Sequence, residues 1–317
     1  MTVDNRGSSD IAAVSFDAAP EMSSYLTPPR GMYIGAPGKH GYLSLGFELD
    51  AGGKSILREL DRRAPLIVQQ ALYFDEELPE MPCVYILSSG GPNIDGDRYT
   101  QKIRVCKNAM AYVSTGAATK LAEMKDNYVG MSQMITVEDG GYLEYLPEPI
   151  IPCRHARFIS DTRIVIHPSA TLVYAETYLC GRKFYKDGER FCYDILSISM
   201  QGERFDGRLL FREKFVIEPF KTNLQSIGVM NGNDVFANVI VLTPEEQAQI
   251  IYEKTEAYIK RDIKLSAGIT QLPNHAGLLF KVIGRETKRV KAEVRKFCST
   301  VREVIKGVPL PAEFPWR

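Results

Sequence analysis

The sequence predicts a mainly β protein whose many short strands stack into large sheets, in a β-helix-like arrangement within a single domain. Strand-like apolar runs recur about every 10 to 15 residues and are separated by Gly, Asn or Pro, a pattern typical of all-β folds. The 16 Tyr residues and the many Val, Ile and Thr residues agree with this prediction, because such side chains favour strands. No alternation of strands with helices precedes residue 243, which argues against a doubly wound nucleotide-binding fold.

The strand pattern begins after an N-terminal segment of different composition. Residues 1–39 are rich in Ser, Asp, Ala, Pro and Gly, and we expect a weakly ordered extension there. Residues 40–317 form the predicted β-rich domain. Its expected strands lie at residues 42–49, 55–60, 66–68, 84–87, 103–105, 110–113, 134–137, 142–146, 163–166, 171–174, 193–198, 209–211, 215–217 and 235–241.

Two α-helices are expected towards the C-terminus. Thr243-Pro244-Glu245-Glu246 has the pattern of a capping box with Pro at the first helical position, which predicts a helix to about Arg261. A second helix is predicted over residues 286–306, because apolar residues recur there at helical spacing while Lys and Arg fill the other side. Such a basic amphipathic helix suits a membrane or a partner, but more often it packs on a sheet with its charged side in water.

Composition narrows the classes of function. Lys plus Arg equals Asp plus Glu at 39 each in 317 residues, without the basic excess that is usual in nucleic-acid-binding proteins. The N-terminus lacks the pattern of a secretory signal, and no apolar run is long enough to predict a membrane span. Six dispersed cysteines predict reduced thiols, and therefore a cytoplasmic protein.

Several kinds of active site find little support in the sequence. Gly52-Gly53-Lys54-Ser55 matches the end of a phosphate-binding loop, but Glu48 stands where that motif needs a glycine. No G-x-S-x-G elbow and no C-x-x-C pair occurs. The nearest approach to a metal-ligand pair is Cys153 and His155, which would share a face if they lay on one strand. A buried cysteine beside a surface histidine explains the same pattern.

Carboxylates inside apolar runs are the more informative candidates. The acidic residues in such positions are Glu144, Glu176, Asp194 and Glu213. Each of them either faces solvent or lines an internal polar passage. A passage of this kind would suit a hydrated divalent cation, because carboxylate oxygens bind such an ion weakly enough to release it. The sequence pattern leaves both readings open.

Five motifs carry a resemblance to a known family. They are residues 93–97 (NIDGD), 114–120 (STGAATK), 140–157 (GGYLEYLPEPIIPCRHAR), 176–182 (ETYLCGR) and 187–191 (DGERF). In this order and spacing the chain resembles the urease accessory proteins of the UreD family (UreH in some bacteria), over about residues 41–306. The chain departs from the family pattern at Ile150, because an aromatic residue commonly follows the preceding proline in the family.

The resemblance implies a β-rich fold without catalytic activity of its own. It implies a nickel metallochaperone scaffold that assembles with an all-helical accessory protein and a nickel-carrying GTPase and docks on apo-urease. A dimer within that complex is also part of what the resemblance implies. Nickel would be cargo in transit and no cofactor would be tightly bound. Family members are thought to contain an internal tunnel for nickel, and the positions that match its polar lining are Asp97, Thr119, Glu176 and Glu213.

An enzyme is the alternative that the sequence leaves open. A β-rich fold could act on a polar small molecule if Asp97 and a nearby carboxylate formed an acid–base pair. That chemistry needs two carboxylates with different pKa values in one cleft.

Overall fold

The computed structural model of the protein describes Phe16, residues 19–29 and residues 36–311. Within these residues the chain is mainly β, which confirms the predicted fold class. The strands are β1 (His40–Leu49), β2 (Ser55–Arg63), β3 (Leu66–Ile67), β4 (Cys83–Ser88), β5 (Arg98–Val105), β6 (Met110–Thr115), β7 (Thr119–Leu121), β8 (Val129–Val137), β9 (Tyr142–Tyr145), β10 (Ile150–Pro152), β11 (Arg157–Ile166), β12 (Thr171–Leu179), β13 (Ile195–Glu203), β14 (Leu209–Ile217), β15 (Val235–Leu242), β16 (Tyr258–Lys260), β17 (Leu265–Gln271) and β18 (Gly277–Gly284).

Two large sheets contain the strands that the structure describes. The first sheet has the order β14-β13-β11-β8-β5-β1-β2, and the second follows β16-β17-β18-β15-β12-β9-β6-β4-β3, with β7 and β10 branching from it. From β4 to β13 the chain passes repeatedly from one sheet to the other. Each pass adds a parallel strand beside the one before it, as in β5-β8-β11-β13 and β6-β9-β12. This stacking of successive circuits is the predicted β-helix-like arrangement.

Apolar side chains fill the space between the two sheets. The large core there includes Leu43, Val105, Ile135, Phe158 and Leu196, all almost fully buried. Inward-facing residues alternate with outward-facing ones along each strand, as the pleat requires. A polar residue at an inward position must therefore find its partners inside this core.

Two α-helices cover the second sheet, as predicted, although their bounds differ from the expected ones. They are α1 (Glu245–Lys254) and α2 (Thr287–Lys306), and their apolar residues form a second core with the strands beneath. The first helix ends seven residues before Arg261, because Thr255 is extended and Tyr258–Lys260 pairs with β17 as β16. The predicted capping box is also wrong. Pro244 precedes the first turn, and the Thr243 hydroxyl donates to the Gln247 side chain at 2.7 Å instead of capping a backbone amide.

Part of the predicted N-terminal extension packs on the β domain. A short 3₁₀ helix, Pro20–Tyr25, places the side chain of Met22 in full burial against the outer face of the first sheet, beside Ile159 and Ile195. Glu21 accepts a hydrogen bond from Ser197 at 2.5 Å and pairs with Lys214 at 2.6 Å. Residues 1–15, 17–18 and 30–35 lie outside the described residues, so weak order there stays a prediction.

The basic side of α2 contains one side chain that is not in water. Arg302 is only 1% exposed, and its guanidinium binds both carboxylate oxygens of Glu144 at 2.7 and 2.6 Å and also pairs with Asp75. Burial lowers the pKa of Arg302, but the hydrogen bonds and charge of Glu144 outweigh burial and raise that pKa above its usual value. This buried group fixes α2 to the second sheet and explains why Glu144 lies in an apolar run.

Removing Arg302 tests this attachment. In Arg302→Ala the carboxylates of Asp75 and Glu144 stay buried without their cation, so we expect the free energy of unfolding to fall by about 3 to 5 kcal/mol. Denaturant unfolding measures the change. The control is Lys296→Ala, because Lys296 is an exposed residue of the same helix. Equal stability of the two variants would contradict a structural role for the buried pair.

Candidate functional site

A row of aligned residues crosses the inner face of the first sheet. Gln101 on β5 pairs in register with Gln133 on β8, and Gln133 pairs with Thr162 on β11. The register continues from Thr162 to Met200 on β13 and from Met200 to Glu213 on β14. We call these five residues the cross-strand row. It leads from the buried middle of the sheet to its outermost strand.

The second sheet presents polar groups opposite this row. Tyr145 on β9 and Tyr174 on β12 are in register, and their rings stack with centroids 5.2 Å apart. Two residues further along β12, Glu176 is in register with Asn238 on β15, and Asn238 is in register with Lys281 on β18. The second sheet therefore also carries polar side chains from its interior towards the same edge.

Hydrogen bonds join the two sheets through these side chains. The Tyr145 hydroxyl donates to the amide oxygens of Gln101 at 2.9 Å and Gln133 at 3.1 Å. The amide nitrogen of Gln133 donates to Thr162 at 2.9 Å and to the Tyr174 hydroxyl at 3.0 Å. We call Gln101, Gln133, Tyr145, Thr162, Tyr174 and Glu176 the inter-sheet network. All six are buried, so the network is a continuous polar region inside an otherwise apolar core.

Glu176 ends the network and has an unusual electrostatic environment. It is 7% exposed and accepts a hydrogen bond from the Tyr174 hydroxyl at 2.8 Å. Burial raises the pKa of Glu176 to about 7, with a smaller raising effect from the charge of Glu213, while the hydroxyls of Tyr174 and Tyr178 act in the opposite direction. A carboxyl with this pKa exchanges its proton near neutral pH, so it can bind a proton or a cation under ordinary conditions.

Glu213 lies where the cross-strand row reaches the sheet edge. Its side chain is 28% exposed, and its Oε1 atom is 2.6 Å from the ammonium nitrogen of Lys281. This ion pair joins β14 of the first sheet to β18 of the second. Glu213 is near enough to Glu176 for its charge to raise the pKa of that carboxyl, and a lining role for these two residues stays a prediction.

The other two predicted lining residues occupy different places. Asp97 is fully buried just before β5, and its carboxylate accepts from the amides of Lys39 and Ile94 and from the Tyr99 hydroxyl. Asp97, Tyr99 and Gln101 are spaced two residues apart, so Asp97 stands at the start of the strand face that carries the row. Thr119 begins β7 and is half-buried. It pairs with Ile150 on β10, in the branch of the second sheet. Lining roles for both stay predictions.

Cys153 and His155 do not lie on one strand, so the condition under which they would form a metal-ligand pair is not met. These residues follow β10 in a turn in which the Ala156 amide donates to the Cys153 carbonyl, and His155 has a φ of 54°. They do not share a strand face. His155 Nδ1 lies 2.9 Å from Asp194, whose other oxygen accepts from Arg157 at 2.7 Å, so Asp194 also has a structural explanation. Across the described part of the chain, no cluster of three or more His, Cys, Asp or Glu side chains is arranged to hold a metal ion.

A surface pocket lies elsewhere on the molecule. It has a volume of about 520 Å³ and is formed mainly by residues 179–185, the start of β15 and the N-terminus of α2. None of the four predicted lining residues contributes to it. Two of the cations that line this pocket are already paired, Arg182 with Glu189 and Lys183 with Asp234. The inter-sheet network is the better candidate for cation chemistry.

Comparisons with known proteins agree on one family. The family model described as "UreD urease accessory protein" matches residues 39–317. The chain is similar to "Urease accessory protein UreD" of Photorhabdus laumondii, with 44% identity over 299 residues that cover 94% of this chain and 93% of the relative. A protein of the same name from Yersinia pseudotuberculosis is 46% identical over 301 residues, covering 94% and 93%. "Urease accessory protein UreD 2" of Brucella suis is 43% identical over 298 residues, covering 94% and 98%.

Replacing Glu176 with Gln tests its raised pKa. An unfolded Glu titrates near 4.5, whereas Glu176 in the folded protein titrates at about 7. The folded state binds this proton more tightly, so the free energy of unfolding falls as the pH rises from 4.5 through 7. For one group the fall is about 3 kcal/mol. We expect Glu176→Gln to gain about this much stability relative to wild type between pH 4.5 and about 8.

Urea unfolding at a series of pH values measures this gain. Glu213→Gln is the control, because Glu213 is partly exposed and already paired with Lys281. The control is not expected to show the same pH-dependent gain. A stability difference between wild type and Glu176→Gln that stays constant across the window would contradict the prediction.

Proposed function

Because this chain belongs to the UreD family of urease accessory proteins, we propose that it serves urease maturation as a scaffold through which nickel reaches apo-urease. Family membership indicates the role in maturation. The transfer of nickel through the interior of the chain is the further step of the proposal. It rests on one observation, the inter-sheet network that leads from the buried middle of the stack to Glu176, near the edge where Glu213 raises the pKa of Glu176 and pairs with Lys281.

The chemistry of the network suits a hydrated divalent cation. Amide oxygens, hydroxyls and carboxylates are hard ligands, and they replace water around such an ion without the strong bonds that thiolates or several imidazoles would form. The buried Tyr178 hydroxyl adds a polar group close enough to Glu176 to lower the pKa of that carboxyl, but among the described residues it makes no hydrogen bond of ordinary geometry. A water molecule or the hydration shell of an ion would satisfy it.

This arrangement favours the passage of nickel ions over their storage. A stable nickel site would need several converging ligands, and the described residues contain no such group. The neighbouring carboxylates of Glu176 and Glu213 offer weak, successive contacts instead. Glu176 would lose its proton as the cation arrives, because a positive charge nearby favours the ionised form.

The proposed partners follow from the family. They are apo-urease, an all-helical accessory protein and a nickel-carrying GTPase, and a dimer within their complex is part of the proposal. In the part of the chain that the structure describes, no helix is long and apolar enough to cross a membrane. The six cysteines are free thiols, which supports a location in the reducing cytoplasm.

A catalytic role is the alternative, and the environment of Asp97 argues against it. Both carboxylate oxygens of Asp97 accept hydrogen bonds from buried groups, and Lys39 lies 3.2 Å away. No second carboxylate is among these partners, so the acid–base pair that the enzyme hypothesis needs is not formed there. We therefore propose that the chain has no catalytic activity of its own.

A reconstituted activation assay tests the proposed function. Apo-urease is incubated with Ni²⁺, GTP, bicarbonate and the partner proteins, with and without this chain. We expect urease activity to appear only when the chain is present, because it connects the nickel source to the enzyme. Equal activation in its absence would contradict the proposal.

Variants of the two carboxylates test the path. In Glu176→Gln and Glu213→Gln a charged oxygen ligand is lost, a contact of about 1.5 to 3 kcal/mol, so we expect activation to be slower by about tenfold or more. The accessory complex should still form, because both side chains lie on the inner faces of the sheets or between their edges. The control is Glu48→Gln, since Glu48 pairs with Arg58 on the exposed surface.

Size-exclusion chromatography of the complex separates two causes of slow activation. A variant that activates slowly and no longer joins the complex would identify that residue as structural. If both variants activate urease at the wild-type rate, the inter-sheet path is wrong even though the chain itself is required.

A further inference from the structure

One ion pair occupies the position where the polar region meets solvent. Glu213 belongs to the outermost strand of the first sheet, and Lys281 lies on β18 of the second sheet. Their 2.6 Å contact therefore crosses between the sheets and closes the edge next to Glu176. The Lys281 side chain is 51% exposed, so its ammonium sits between water and the interior.

The position of Lys281 follows from strand register. It aligns with Asn238, and Asn238 aligns with Glu176, so these three side chains lie side by side on the inner face of the second sheet. From the other sheet Glu213 reaches the same place through the cross-strand row. The positive charge of Lys281 thus stands next to the outer of two carboxylates, and the inner carboxylate is Glu176.

A lysine in this place affects any cation that approaches. Its charge repels an incoming cation, and its ammonium already occupies one oxygen of Glu213. A divalent cation gains about twice the Coulomb energy that a monovalent one gains at the same distance from a carboxylate. Lysine has a long flexible stem and a well-hydrated head, so the displaced ammonium can move into the adjacent water.

We propose that Lys281 is a displaceable counter-ion that holds Glu213 until a divalent cation takes its place. The proposal rests on the proposed function, since it assumes that cations use this edge of the stack. Lys281 then contributes to specificity, because Na⁺ and K⁺ compete poorly with an ammonium that is held at this distance. Its charge also offsets that of Glu213 while no cation is bound.

Binding of Ni²⁺ to the accessory complex, with the full-length chain, tests the proposal by calorimetry. Lys281→Met keeps most of the stem and removes the charge, so we expect Ni²⁺ to bind more tightly by about threefold or more, because a nearby like charge is gone. Lys281→Arg should weaken Ni²⁺ binding, because a guanidinium can hold Glu213 through two parallel hydrogen bonds. The control is Lys288→Met, which removes an exposed lysine charge from α2.

The outcomes separate this proposal from the proposed function. Tighter binding by Lys281→Met than by the control supports the counter-ion role, whereas unchanged or weaker binding overturns it. If Lys281→Met does not fold, the Lys281→Arg variant decides, and wild-type affinity in that variant overturns the proposal. Normal activation by both Glu176→Gln and Glu213→Gln would instead show that the path itself is wrong, whatever the lysine variants do.

Discussion

The structure depends on the register between neighbouring parallel strands. Gln101, Gln133 and Thr162 occupy equivalent inward positions on β5, β8 and β11, so each successive circuit of the chain adds one polar side chain to the same line. A buried polar group is costly unless it is hydrogen-bonded. The tyrosines of the second sheet satisfy this requirement, and their hydroxyls fix the two sheets relative to each other. A shift of one residue in any of these strands would turn its polar side chain away from the interior.

Two buried glutamates show how the same fold uses a carboxylate in different ways. Glu144 receives both arms of the Arg302 guanidinium, which ties the last helix to the second sheet and leaves no oxygen free for another cation. Glu176 has only neutral hydroxyls and the carboxylate of Glu213 near it, and burial raises its pKa to about 7. Glu144 therefore stabilises the fold, whereas Glu176 stays available for a proton or a metal ion. Both look alike in the sequence, since each is an acidic residue in an apolar run.

The sequence predicted the fold class and both helices near the C-terminus, and it singled out Glu176 and Glu213 as candidates whose role stays a prediction. It could not distinguish Glu144 from Glu176, because the partner of Glu144 is Arg302, which lies on another element 158 residues away. Arg302 was itself assigned to the solvated side of its helix, since helical spacing alone does not show which side the sheet covers.

Apart from Glu176, the residues of the inter-sheet network were missed, although a signal for the three on the first sheet exists. Gln101-Lys102-Ile103-Arg104-Val105 and Gln133-Met134-Ile135-Thr136-Val137 share the pattern polar-x-Ile-x-Val, and Thr162 begins a similar run that ends at Ile166. Such a repeat indicates stacked circuits with one polar position in common. Its meaning emerges only when the strands are placed side by side in register, and the same is true of the pairing between Lys281 and Glu213.

The central claim is that a nickel ion travels between the two sheets beside Glu176. Anomalous X-ray diffraction at the nickel absorption edge tests it most directly, on crystals of the accessory complex soaked with NiCl₂ at about pH 8, where Glu176 is ionised. We expect an anomalous peak between the sheets, close to the carboxylates of Glu176 and Glu213. Nickel found only at the outer surface of the chain, with no peak between the sheets, would contradict it.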